Sequence, residues 1–264
     1  AEARLPDLWK PRLRIEGALN GPVARMADIV VASPLLGDGA LPGEPAWSGD
    51  ADLNLTFFFP FEKRPPEMNG ELSFDEVAVT VDTPALRVTD LAGDIAFDDD
   101  GVRWDGLRGR YQGQDVISQA RTDGEGEAAR IRVDARTELA LADWPGLSGV
   151  AERVKGDARW RLRWEQPGFP ALRAEREPET RLLVRSDLVG IETALPFGLG
   201  KSLDEAVAGR FEWRRSGDAE HRFAVSYGER LRARGAHDPN GEQRWGLAVG
   251  PSEPVLPEAS GTAI

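Results

Sequence analysis

The sequence predicts an all-β protein, mainly antiparallel, built as a long curled sheet or β-groove with one or two short helices. Three observations carry that expectation. First, apolar and polar residues alternate with period two. In Ala51-Asp52-Leu53-Asn54-Leu55-Thr56-Phe57, the residues Leu53, Leu55 and Phe57 share one face and Asp52, Asn54 and Thr56 the other. Second, turn-forming clusters separate the runs: Asp98-Asp99-Asp100-Gly101, Asp123-Gly124-Glu125-Gly126, Ser216-Gly217-Asp218 and Asp238-Pro239-Asn240-Gly241. Third, the runs recur roughly every 10–15 residues, the spacing of a β meander. Each run has one apolar and one charged side, the pattern of an antiparallel sheet with one wet face.

Taken in order, a strand-like run over Arg12 to Leu19 opens the chain. Gly21-Pro22-Val23-Ala24-Arg25-Met26 then places Pro at a first turn and apolar residues at helical spacing, predicting a short helix near 21–32 that ends before Ser33-Pro34. Gly37 to Pro45 reads as loop. Strand runs follow at Ala51 to Phe57, Glu71 to Phe74, Glu76 to Val81 and Arg130 to Ala135. A second short helix or turn is expected between Leu139 and Val154, around Leu141, Trp144, Leu147 and Val150. Alternation resumes at Arg159 to Trp164, and Gln166 to Pro178 is a Pro-, Glu- and Arg-rich loop. The last runs are Arg210 to Trp213, His221 to Val225 and Arg230 to Ala233. This weak repeat of strands, helix, strands predicts two β modules, residues 1–150 and 151–264, the second truncated at its C-terminal end.

Composition bounds the chemistry. At 264 residues and 41% hydrophobic, the chain can bury one large β core or two smaller ones. Its formal net charge of −12 repels phosphate backbones, so no nucleic-acid partner is expected. With no cysteine there is no disulfide, thiolate metal site or cysteine nucleophile. No run of about 18 apolar residues spans a membrane. The start, Ala1-Glu2-Ala3-Arg4, does not read as a signal peptide, and both ends read as cut, as expected of an interior piece of a larger protein.

Candidate catalytic or metal groups are few. Histidine occurs only at 221 and 237; His221 opens a strand among charged neighbours and His237 precedes a Pro-Asn-Gly turn, so both read as surface or loop residues. Gly198-Leu199-Gly200-Lys201-Ser202 superficially resembles a phosphate loop, but Leu195 stands where the motif requires glycine, and the stretch reads as a strand end and tight turn. Asp98, Asp99 and Asp100 lack the calcium-loop pattern and read as a solvated hairpin turn. Arg159, Arg161 and Arg163 alternate along a strand with no aromatic residue on that face to stack a base. No catalytic residue, metal site or cofactor is predicted.

The remaining signal is the apolar side of the strands: Leu53, Leu55, Phe57, Phe59, Phe74, Val77, Val79, Trp104, Trp160, Leu162, Trp164, Phe211, Trp213, Phe223 and Val225. Such a face is covered by another sheet, by the chain folding over itself, or by a ligand. Ordinary core and an apolar groove for acyl chains both satisfy the pattern.

Several segments also carry a family resemblance. Ser186-Asp187-Leu188-Val189-Gly190 through Leu195-Pro196-Phe197-Gly198 to Gly200-Lys201 resembles a segment of YhdP-type proteins, relatives of AsmA and TamB. Gly21-Pro22 followed by Ser33-Pro34-Leu35, the strand Leu53 to Phe61, the hairpin Leu91 to Val102 and Leu256-Pro257-Glu258 resemble further segments in the same order. Phe197 replaces a usual second proline and Phe59 a smaller aliphatic. The resemblance implies a periplasmic segment of a bridge-like protein that carries phospholipids between inner and outer membranes. It implies an inner-membrane anchor absent from this piece, possible outer-membrane contact, acyl chains as the ligand, and no enzymatic activity. The expected groove lining is Leu53, Leu55, Phe57, Phe74, Val77, Val79, Trp104, Trp160, Leu162, Trp164, Phe211 and Trp213. A scaffold pairing with client strands and a purely structural spacer are the alternatives.

Overall fold

A computed structural model describes residues 2–4, 12–31, 45–61, 66–82, 85–144, 153–169, 179–196, 198–216, 220–238, 241–257 and 260–263. The chain divides into two compact units, the first comprising Ala1–Arg132 and Pro167–Arg176, the second Val133–Gln166 and Glu177–Ile264.

The first unit contains strands β1 (Glu2–Arg4), β2 (Arg12–Pro22), β3 (Ala46–Ser48), β4 (Asp50–Pro60), β5 (Glu67–Asp82), β6 (Ala85–Asp98), β7 (Val102–Tyr111) and β8 (Gln114–Asp123). Helix α1 (Val23–Val31) follows β2, and β9 (Arg130–Ala140) begins here. The hydrogen-bonded order is β1-β2-β4-β5-β6-β7-β8-β9, with β3 pairing β5. The pairs from β1 to β8 are antiparallel.

The second unit holds the rest of β9, a 3-10 turn at Leu141–Asp143, β10 (Val154–Lys155), most of β11 (Asp157–Pro167), β12 (Glu179–Ser186), β13 (Glu192–Thr193), β14 (Gly209–Ser216), β15 (His221–Tyr227), β16 (Leu231–His237), β17 (Gln243–Val249) and β18 (Gly261–Ala263). Its order is β9-β11-β12-β14-β15-β16-β17-β18, while β10 and β13 make a separate two-stranded sheet. Pairs from β11 to β17 are antiparallel and β17–β18 is parallel. The expected all-β, mainly antiparallel class is therefore the observed one, in a sheet that does not close into a barrel.

Local chemistry explains the elements. The runs Glu71 to Phe74 and Glu76 to Val81 belong to one strand, β5, whose register shifts between Phe74 and Val77. Glu76 takes φ 57° at that bulge, and the extra residue returns Val77 and Val79 to the side of Phe74 after the alternation slips phase. The β6–β7 hairpin is closed by Asp98, whose Oδ1 accepts from the backbone N–H of Asp100 at 2.9 Å and of Gly101 at 3.0 Å. Asp99 Oδ2 accepts from the Met68 N–H at 3.0 Å, tying that turn to the start of β5. These aspartates serve the turn, as their sequence suggests.

The predicted helix is α1, starting directly after Pro22 and burying Val23 and Met26 at i, i+3 spacing. The second predicted helix or turn is represented by the 3-10 turn Leu141–Asp143; Leu147 and Val150 lie outside the described residues. No described helix is long and apolar enough to cross a membrane.

Candidate apolar binding face

Cross-strand partners in an antiparallel ladder point to the same side, so the printed register assigns each face. In the first unit, Leu13, Ile15 and Leu19 of β2 oppose Phe59, Phe57 and Leu53 of β4. Leu53 and Phe57 in turn oppose Leu72 and Met68 of β5. The face is covered unevenly along its strands. Ala51, Leu53 and Leu55 are buried, with Leu53 at 0% exposure, whereas Phe57 is half-buried and Phe59 and Phe61 stand 37% and 63% exposed. Helix α1 explains the covered end: Pro22 pairs with Asp50 there, the Val23 N–H donates to the Gly49 carbonyl at 3.0 Å, and α1 contacts β2, β3 and β4. Trp47 of β3, opposite Val79, adds a ring contact to Phe74 at 5.8 Å. Phe74 and Val77 are thereby buried and Val79 is half-buried. At the open end, the Phe57 and Phe59 rings stack on each other at 6.1 Å. Trp104 is half-buried, its indole N–H donating to Ser118 Oγ at 3.1 Å.

The second unit repeats the asymmetry with other parts. Leu162 and Trp164 oppose Val184 and Leu182, which oppose Phe211 and Trp213; those oppose Val225 and Phe223. One end of the face is covered by the segment 187–208. Leu188, Ile191 and Val207 are buried there, the Gly228 N–H donates to the Ala208 carbonyl at 2.7 Å, and the Tyr227 hydroxyl donates to the Leu199 carbonyl at 3.0 Å. Lys201 closes this cover. Its ammonium is buried and donates to the carbonyls of Leu188 (2.9 Å), Ser202 (2.7 Å) and Ile191. Burial lowers its pKa below the ordinary lysine value, against the opposing pull of Glu205 and Asp204. The lysine of the phosphate-loop lookalike is therefore a structural tie. Near β9, Trp160 is buried, donating its indole N–H to the Leu139 carbonyl at 2.9 Å and meeting the Trp144 ring edge-on at 5.2 Å.

The far end of the second unit's face is an aromatic row. Trp164 stacks on Trp213 at 5.7 Å, Phe211 lies 6.5 Å from Phe223, and Phe223 stacks on Trp245 at 5.9 Å. Gly235 makes the last contact possible, because a Cβ there would sit 2.7 Å from the Trp245 ring. Trp213 is buried by these neighbours, Leu162, Trp164, Phe211 and Phe223 are half-buried, and Trp245 is exposed.

The opposite sides of the sheets are charged. Glu212 accepts from Arg210 and Arg214 and pairs with Arg181 at 3.0 Å. Burial pushes its pKa up, yet the Arg210 and Arg214 hydrogen bonds prevail and hold it below the ordinary carboxylate value. Phe58 is an aromatic residue on the charged side of β4, lying beneath the Arg14 guanidinium at 5.6 Å.

Of the expected lining residues, Leu53, Leu55, Phe74, Val77, Trp160 and Trp213 are buried against protein, and Phe57, Val79, Trp104, Leu162, Trp164 and Phe211 are half-buried. Two features were not read from sequence. One is the cover formed by 187–208, which has no periodicity to reveal it. The other is that His221 and His237 are direct cross-strand partners. Recognising the turn in which the Arg230 N–H donates to the Tyr227 carbonyl would have aligned the two histidines. No curated protein and no solved structure matches the chain. A family model described as the YhdP protein matches residues 1–263, in keeping with the ordered segments and the one-sided antiparallel sheet, and the chain belongs to that family.

Proposed function

We propose that this chain is a non-enzymatic segment of a periplasmic, inner-membrane-anchored bridge that carries phospholipids toward the outer membrane, with acyl chains lying on the open ends of its apolar faces. One observation carries the reading. Along β4 a single apolar side passes from fully buried Leu53 through half-buried Phe57 to exposed Phe59 and Phe61. Aromatic side chains ranked this way are costly in water and serve only if something apolar covers them. Burial of an acyl chain contributes roughly 25 cal/mol per Å² of apolar surface. The lining set narrows accordingly to the half-buried and exposed positions, while Leu53, Val77 and Trp160 act as core beneath them.

The test is a photo-reactive residue at Phe59 or Phe223, with the charged-side position Asn54 as control, in cells carrying the full-length protein. Phospholipid adducts are expected from the two apolar positions and not from Asn54. Normal folding with no lipid captured at either position would overturn the proposal, and capture of client β-strands instead would replace it with the scaffold reading.

A further inference from the structure

Beyond the aromatic row of the second unit lies a polar row on the same side of the sheet. Thr180 of β12 opposes Arg215 of β14; His221 of β15 opposes His237 of β16; His237 opposes Gln243 of β17. Arg215 is close enough to His221 to act on it electrostatically. The His221 ring stands edge-on to Trp213 at 5.7 Å and the two imidazoles are 6.2 Å apart. The chain's only two histidines thus meet beside an arginine, at the boundary between indoles and polar groups. His237 Nδ1 is buried with no hydrogen-bond partner among the described residues, a condition that calls for a ligand or solvent atom to complete it.

The row itself contains no carboxylate. Flanking acids are engaged elsewhere: Glu220 accepts from Arg222 and Arg244, and Asp238 Oδ1 accepts from the Glu242 N–H at 3.0 Å. Burial first, then Arg215 and His237, lowers the His221 pKa below its ordinary value. An anion placed in the row would reverse that bias by pairing with imidazolium and guanidinium together. The aromatic row is two residues away along each strand, roughly 7 Å. That is close to the distance between a phospholipid's phosphate and the start of its acyl chains.

We propose that the row Thr180, Arg215, His221, His237 and Gln243 binds the phosphate of a phospholipid whose acyl chains lie on the adjoining aromatic row. This rests on the lipid reading above and assigns its headgroup contact. Arg215 supplies the permanent charge, the two imidazoles supply donors, and Thr180 and Gln243 supply neutral hydrogen bonds.

The experiment follows the histidine ring signals and the tryptophan indole signals of the 264-residue chain by NMR. The probes are dihexanoylphosphatidylglycerol, dihexanoylglycerol and inorganic phosphate. With the phosphatidylglycerol, both histidine pKa values are expected to rise by about one unit. The double variant His221→Gln/His237→Gln is expected to lower the preference for phosphatidylglycerol over dihexanoylglycerol about tenfold, equivalent to the loss of one charge-assisted contact. Unmoved histidines alongside shifted Trp164 and Trp245 indoles would sink the headgroup assignment and leave acyl-chain binding intact. Unmoved indoles as well would sink both. An equal response to inorganic phosphate at the same concentration would also overturn the assignment, because it would mark an anion site with no link to the apolar row.

Discussion

The two units cover one end of the same kind of apolar face by different means. In the first, α1 packs Val23 and Met26 against the sheet, and its own backbone is satisfied within the helix. In the second, the irregular segment 187–208 takes the place of a helix and must satisfy its carbonyls otherwise, which the Lys201 ammonium does for three of them. Apolar burial suffices for the regular cover, whereas the irregular one needs a buried charge. Beyond either cover, aromatic side chains remain half-buried or exposed. The shared feature is thus the uncovered end, reached by two unrelated local solutions.

The largest expected effect tests the first unit. Leu53→Ala removes a fully buried side chain beneath α1 and should destabilise by about 3 kcal/mol. Hydrogen exchange should then quicken on β2, β4 and β5 while β12 to β16 stay protected. Equal loss of protection in both units would show that they unfold together and would break the comparison. Lys201→Met is the counterpart in the second unit. It leaves three carbonyls without their donor and should cost about 2 kcal/mol, seen as faster exchange across 187–208 and at Gly228, whose N–H is bonded to that segment. An unchanged protection pattern would mean that apolar contacts alone hold this cover too.

How much was legible in sequence follows from the same contrast. Alternation marks strands directly, so β4, β9, β11, β14 and β15 are readable from residues such as Leu53-Asn54-Leu55 and Trp160-Arg161-Leu162. The phase slip between Phe74 and Val77 is visible as two runs, but a bulge can join two runs as readily as a turn can separate them. The β7–β8 hairpin turns on Gln112-Gly113, at φ 51° and 79°, a two-residue signal weaker than the Asp98 to Gly101 cluster. The cover at 187–208 is set by hydrogen bonds to carbonyls, which leave no pattern in residue types. For the site, alternation identified the side but not the depth. It could not tell Leu53 from Phe59, because depth depends on what packs above each position.

The smallest expected effect therefore bears most directly on function. Phe59 lies on the same side of β4 as Leu53 but beyond the reach of α1, and is 37% exposed. Were both merely core, Phe59→Ser would also open a cavity and lower stability by kilocalories. If the open end is a surface for a ligand, the same change should shift unfolding by less than about 0.5 kcal/mol, since the serine hydroxyl meets water and only the stacking with Phe57 is lost. Lipid capture from a photo-reactive residue at Phe57 should nevertheless fall, because the neighbouring apolar surface is gone. A variant with near-native urea midpoint and undiminished capture would detach this aromatic end from lipid binding, and one that unfolds like Leu53→Ala would make it core. Stability kept while capture falls is the result that separates a binding surface from a buried one on a single strand.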